Sequence, residues 1–174
     1  MDTAPKQDVR VHIRWLISKD MEEVLAIENE CFEYPWTKYD FIRSLRQRNC
    51  IGMAAEYDNR VAGFMIYELM KTRIHVLDFA VLPSYHRMGV GSQMLLKLVS
   101  KLSAKRKNRI ILETRETNLS AQLFFRANGF KAVSVLRNFY TDTPEDAYLM
   151  QYNYRQEQSI PGFQGSSRIT KLAG

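Results

Sequence analysis

Residues 74–102 decide the reading of this chain: Ile74–Val81 (IHVLDFAV), then Leu82–Ser92 (LPSYHRMGVGS), then Gln93–Leu102 (QMLLKLVSKL). The first part is a short, β-rich apolar run and predicts a buried strand. The last spaces Met94, Leu95, Leu98, Val99 and Leu102 as one face of a helix. Between them lies Arg87-Met88-Gly89-Val90-Gly91-Ser92. A strand, a glycine-bearing turn and a helix start make a place to hold phosphate, because the first helical N–H groups lack intrahelical partners and the dipole there is positive. Gly89 and Gly91 let a backbone approach that a Cβ would obstruct, and Arg87 adds a fixed charge with forked donors. No Lys-Ser or Lys-Thr follows the second glycine, so this is not a nucleotide-hydrolase loop. The third glycine of the dinucleotide fingerprint is also missing.

Outward from this seam, Val11–Leu16 reads as a strand. Asp20 with Glu23 suggests a capped helix carrying Met21, Val24, Leu25, Ile27 and Phe32, and Tyr34-Pro35-Trp36 interrupts it. Thr37 with Asp40 suggests the cap of a second helix with Phe41, Ile42 and Leu45. Strands Ile51–Tyr57 and Val61–Met70 flank an Asp58-Asn59 hairpin turn. The helix after Gly91 is expected to run to about Lys105, followed by a strand over Arg109–Thr114. A helix beginning at Asn118 or Ser120 ends at Asn128-Gly129, with Gly129 as its left-handed cap. Lys131–Leu136 and Ala147–Tyr154 pair antiparallel across the Asn138–Asp146 connection. The pattern implies an α/β or α+β layer fold with a mixed sheet. The strands from Ile74 and Arg109 flank a helix and are expected to be parallel neighbours.

The 174 residues suit one domain over 11–154, with a flexible N-terminus over 1–10 and a flexible tail over 155–174. No apolar run approaches the roughly 20 residues of a membrane span, and the N-terminus lacks a signal peptide's apolar stretch. A cytoplasmic protein is expected. Cys31 and Cys50 form no Cys-x-x-Cys pair and have no His cluster beside them, so they read as free thiols and no metal is expected. The net charge of +6 permits acidic partners. Lys97, Lys101 and Lys105 read either as the solvated face of their helix or as part of a patch toward RNA or a ribosomal surface.

The pattern Arg-x-x-Gly-x-Gly after a strand ending in Ala80-Val81 resembles the pyrophosphate loop of the GNAT acetyltransferase superfamily. Other segments narrow the likeness to RimI-type enzymes. Tyr34-Pro35-Trp36 resembles their Phe-Pro-Trp element, and Leu112–Asn118 (LETRETN) resembles Leu-Glu-Val-Arg-x-x-Asn. Asn128-Gly129-Phe130 resembles their Gly-Phe element. Arg137-Asn138-Phe139-Tyr140 with Glu145-Asp146-Ala147 is similar to Arg-x-Tyr-Tyr … Glu-Asp-Ala. The resemblance covers roughly Val11–Tyr154. It implies a mostly antiparallel sheet flanked by helices, with one parallel pair splayed to hold acetyl-coenzyme A.

The resemblance implies acetyl transfer to a primary amine, above all the N-terminal alanine of a small-subunit ribosomal protein or another protein N-terminus. Phe79, Ala80 and Val81 would face the acetyl and pantetheine portions. Arg87, Met88, Gly89, Val90, Gly91 and Ser92 would wrap the pyrophosphate, and Asn118 would contact the cofactor. Glu113 would be the general base. The family's proton-donating tyrosine is replaced by Phe125, which leaves Tyr140 as the candidate acid. Tyr34, Pro35, Trp36 and Tyr140 are the candidate acceptor-binding residues, with Tyr34 and Trp36 alternatively capping the core. Two other readings remain: acetylation of a small-molecule amine, and a non-catalytic coenzyme-A-binding or basic ribosome- or RNA-associated module. No membrane association and no specific nucleic acid are expected.

Overall fold

The computed structural model describes residues 6–155. Seven strands form one sheet: β1 (His12–Trp15), β2 (Cys50–Tyr57), β3 (Arg60–Leu69), β4 (Arg73–Val81), β5 (Arg109–Arg115), β6 (Lys131–Leu136) and β7 (Ala147–Asn153). Four helices accompany them: α1 (Met21–Cys31), α2 (Lys38–Leu45), α3 (Val90–Val99) and α4 (Leu119–Ala127). The strand order is β1-β2-β3-β4-β5-β7-β6. Every neighbouring pair is antiparallel except β4–β5, which is parallel as expected and registers over only Arg73↔Arg109, Ile74↔Ile110 and His75↔Ile111. Beyond that short seam the two strands part. The tail from residue 156 and the first five residues lie outside the described residues.

Local signals explain much of this. Asp58 and Asn59 both take positive φ, 50° and 59°, as a two-residue hairpin turn requires. Thr37 accepts from Asp40 N at 3.3 Å while the Asp40 carboxylate accepts from Thr37 N at 2.9 Å, a reciprocal cap for α2. Gly129 closes α4 at φ 91°.

Two local expectations are corrected. Asp20 does not cap α1 with its side chain. Its carboxylate is taken by Arg14, at 2.7 and 2.9 Å, and by Ile17 N, while Glu23 accepts from Arg60 and Val61 N on β3. Cross-sheet cations thus outcompete the local cap. The helix α3 stops at Val99 rather than near Lys105: Lys101 N and Leu102 N turn to carbonyls three residues back, and Ser103 N donates to Lys107 O. Lys105 therefore does not continue the face bearing Lys97.

Two cores lie on opposite sides of the sheet. One gathers Ile74, Val76, Met94, Leu98, Ile110, Leu112 and Phe125 beneath α3 and α4; the other gathers Val24, Ile27, Phe41, Phe64, Ile66 and Ala80 beneath α1 and α2. A bulge in β4 couples them. Ile66 pairs with Asp78 but Tyr67 pairs with Val76, so Leu77 is an extra residue. Strand alternation is inverted at that point. Ile74 and Val76 face the α3 side, yet Ala80 faces the α1 side, and Phe79 and Val81 return to the first core. The bulge thereby turns Asp78 toward α1.

Candidate active site

The site forms where β4 and β5 separate. His75 lies between Ile74 and Val76, both in the α3-side core, so its ring must point to the opposite face. Glu113 follows Leu112, also in that core, and points the same way. Across the parallel seam the two side chains meet: His75 Nε2 and Glu113 Oε2 are 2.8 Å apart. Glu68 of β3, register partner of His75, approaches the other ring nitrogen, with Oε2 4.0 Å from Nδ1. Ile110 and Leu112 thus share the α3-side face of β5, and Glu113 lies on the other. His75 was not among the candidate residues. Its signal was its place in an apolar strand, but the meeting with Glu113 depends on sheet register.

Arg115, two residues beyond Glu113, shares its face. Its guanidinium carbon stands 3.7 Å from the Tyr140 ring centroid and 4.9 Å from that of Tyr34. Burial chiefly pushes the Tyr140 hydroxyl up to about 12; Glu113, Glu145 and Asp142 add to the rise and Arg115 opposes it. Tyr140 therefore carries its proton at neutral pH. Phe125 belongs elsewhere. It is buried against Phe79, Phe124 and Phe130, with ring centroids 5.6, 5.1 and 5.4 Å away.

The connection between α1 and α2 is anchored from below. Trp36 N donates to Glu28 Oε1 at 2.7 Å, and the Trp36 ring packs edge-on against Phe41 at 5.3 Å. Trp36 thus serves the α1-side core, with Pro35 half-buried beside it, whereas Tyr34 is exposed. Glu28 and Asp78 are both buried, and Glu28 Oε2 and Asp78 Oδ2 have no hydrogen-bond partner among the described residues. Burial raises both carboxyls. Asp78 rises well above its ordinary range, pushed further by the Glu28 charge and its hydrogen bond, although the Phe79 N–H opposes the rise.

Asp78 therefore binds its proton more tightly folded than unfolded. The stability this contributes is complete below the ordinary aspartate pKa of about 3.9 and is lost as pH climbs through the raised folded value. Thermal melts across a pH series are expected to show wild-type Tm declining on the alkaline side. Asp78→Asn, neutral at every pH, should flatten that decline; parallel slopes for the two proteins would contradict a raised Asp78 carboxyl.

At the other end of the seam, Arg87 adopts φ 61° and Gly89 φ 74°, and Gly89 is the N-cap of α3. The first α3 amide to find a helical carbonyl is that of Gln93, bonded to Gly89 O at 3.1 Å. The amides before it lie at the positive end of the dipole. Arg87 is exposed and has no carboxylate partner among the described residues. This donor set fits a diphosphate.

The two glycines have distinct reasons. Gly89 is required by its φ. A Cβ on Gly91 would lie 2.8 Å from the Phe124 ring, so Gly91 serves the contact of α3 with α4. Val90 is buried, and Ser92 sits in the first turn. The N-terminal segment lies alongside: Val9 N donates to Met88 O, Gln93 Nε2 donates to Val9 O, and the Asp8 carboxyl carbon is 3.4 Å from where a Gly89 Cβ would stand. Asp8 and Val9 thus lie against the loop.

Asn118 caps α4, its Oδ1 accepting from Ala121 N at 3.1 Å. Val81 O accepts from His86 Nε2 at 2.6 Å and from Cys31 Sγ at 3.4 Å.

A sheet opened at one parallel seam, with an anion-ready helix start at its mouth and a carboxylate on its floor, defines an acyl-transfer fold. Residues 21–130 match the Acetyltransferase (GNAT) family, and the chain belongs to that family of enzymes. It is 27% identical over 137 residues to the ribosomal protein bS18-alanine N-acetyltransferase of Escherichia coli (strain K12), covering 78% of this chain and 92% of that protein. It is 28% identical over 144 residues to an N-alpha-acetyltransferase of Sulfurisphaera tokodaii, covering 75% and 86%. Among solved structures, Ard1 from Thermoplasma volcanium superposes with a TM-score of 0.76 at 27% identity, covering 85% of this chain and 100% of that one. The Escherichia coli ribosomal-protein-S18-alanine N-acetyltransferase superposes at 0.74, with 24% identity and coverage of 87% and 98%, and shares the fold. Among the described residues, no helix is long and apolar enough to cross a membrane.

Proposed function

We propose that this chain transfers an acetyl group from acetyl-coenzyme A to the N-terminal α-amine of a protein, of Ala type, with a small-subunit ribosomal protein as the model acceptor. The observation that carries this reading is the Glu113 carboxylate, 17% exposed, held by His75 on the face of the opened seam. The names of the relatives point the same way. In the proposed complex, Arg87 and the amides of Met88 to Ser92 hold the diphosphate. Backbone groups of Phe79, Ala80 and Val81 line the path of the acyl arm, and Asn118 borders it from the start of α4. The acetyl thioester supplies an activated acyl group whose leaving thiol has a pKa near 8.5, an ordinary value for a thiol.

The acceptor must be neutral to attack. At pH 7 about a tenth of α-amines are neutral against under a thousandth of lysines, an advantage of about two orders of magnitude for a protein N-terminus. Glu113 takes the remaining proton, directly or through a water, with its carboxylate oriented by His75. Tyr140 keeps its proton and is the candidate hydrogen-bond donor to the departing sulfur; the thiolate leaves readily and takes its proton from solvent. Tyr34 and Pro35 border the acceptor path, and Trp36 fixes their loop through Glu28.

The test is mass spectrometry of a peptide panel incubated with acetyl-coenzyme A: Ala-, Ser- and Met-starting peptides, an N-blocked peptide with an internal lysine, and small amines. A mass gain at the α-amine of Ala-starting peptides is expected. Turnover of small amines alone would establish a metabolite acetyltransferase, and cofactor binding without turnover would establish a non-catalytic module.

A further inference from the structure

Resting on the peptide-acceptor reading, we infer that Arg115 is a positioning residue that ties together the two loops flanking the acceptor entrance, so that the enzyme reads an extended peptide rather than a bare amine. Arg115 ends β5, on the face that carries Glu113. Its guanidinium Nη2 donates to Asp142 Oδ2 at 2.6 Å, and Nη1 donates to Thr143 Oγ1 at 2.9 Å and to Glu145 Oε1 at 3.4 Å. Its guanidinium carbon also lies over the rings of Tyr140 and Tyr34. Tyr34 belongs to the α1–α2 connection, whereas Tyr140, Asp142, Thr143 and Glu145 belong to the β6–β7 connection. Among the described residues, no hydrogen bond or ion pair joins these two connections directly. One side chain, 22% exposed, is the link.

The chemistry of the link is specific to arginine. A planar fork satisfies several oxygens at its edge while its faces stack on aromatic rings; a lysine ammonium offers a point charge and no plane. Arg115 also neutralises Asp142 and Glu145, which would otherwise repel each other at the entrance. Arg115 holds the Asp142 carboxyl below its usual range and helps Thr117 and Thr143 do the same for Glu145. Loss of the guanidinium unties the two loops from each other and leaves Asp142 and Glu145 without their shared cation. A small amine reaching Glu113 needs neither loop to aim it, and the thiolate leaves readily even where Tyr140 shifts. A peptide must thread between them, and its amine is aimed by the residues that follow it.

The experiment compares wild type, Arg115→Ala, Arg115→Lys and Asp142→Asn, each with an Ala-starting heptapeptide and with alanine amide as acceptors. For Arg115→Ala, the peptide KM is expected to rise about tenfold or more, as misplacement of a bound reactant by a loosened support costs rate steeply. The acetyl-coenzyme A KM and the kcat/KM for alanine amide should stay near wild type. Arg115→Lys should not restore the peptide KM. Asp142→Asn, which removes one anchor and preserves the stack, should show a smaller loss of the same selectivity and covers the case in which Arg115→Ala fails to fold. Equal losses for peptide and alanine amide, or full recovery with lysine, would overturn the role of Arg115. A wild-type enzyme that acetylates neither acceptor would overturn the peptide reading itself.

Discussion

Glu113→Gln is expected to lower kcat by about two to four orders of magnitude, the usual worth of a positioned general base. Glutamine keeps the size of the side chain and can still accept from His75 Nε2–H through its amide oxygen, so the fold and the binding of acetyl-coenzyme A should survive. It cannot take a proton. Rates measured with an Ala-starting peptide, alongside calorimetric titration of the cofactor, separate these effects. An unchanged kcat would remove Glu113 from the base role.

Phe125→Tyr offers the contrast. The Phe125 ring is 6% exposed and surrounded by other aromatic rings. A hydroxyl placed there costs about 1–3 kcal/mol if it finds no partner. The thiolate leaving group gains little from a donor in any case. A lower Tm with no rise in kcat is expected, so restoring the family's tyrosine at that position should not restore any function.

The second large effect is at the loop. Gly89→Val places a β-branched residue at φ 74°, a strain of about 1–3 kcal/mol or more. The helix start must shift to relieve it, carrying the free amides with it. Acetyl-coenzyme A affinity is expected to fall about tenfold or more, since about 1.4 kcal/mol suffices for each factor of ten. Arg87→Gly is the informative companion. It relieves a positive φ of 61° while deleting the charge, so affinity should fall without loss of Tm. If both variants bound the cofactor like wild type, the diphosphate assignment would fail.

How much of this was legible in the chain follows from the range of each interaction. The strand–turn–helix at Ile74–Leu102, the Thr37–Asp40 cap, the Asp58-Asn59 turn and the Gly129 stop are signals contained within a few residues. The parallel placement of β4 and β5 followed from the helix between them. Asp20 shows where a capping pattern alone fails: a residue suited to capping α1 was claimed by Arg14, six residues earlier on the edge strand, and a pattern read only forward into the helix does not weigh that competitor.

The His75–Glu113 contact needs the parallel register, and the Glu28–Asp78 pair needs the bulge at Leu77, which inverts the side that Asp78 faces. Simple alternation would have assigned Asp78 to the wrong core. The glycine-bearing turn supplied Arg87 as a candidate, and the RimI-like motifs supplied Glu113. They could not supply the partners, because partners are properties of a folded sheet.

The Cys31 sulfur reaches the Val81 carbonyl, within the wall of the seam, and burial chiefly pushes its thiol up to about 11, with Glu30, Glu28 and Asp78 adding to the rise. At pH 7 only about one such thiol in ten thousand is ionised, against a few in a hundred for an ordinary cysteine. An enzyme that receives thioesters risks self-acylation, because a neighbouring thiolate would capture the cargo before any amine arrived. Keeping that sulfur protonated and occupied makes the wall inert toward the proposed donor, and so reserves the acyl group for nitrogen.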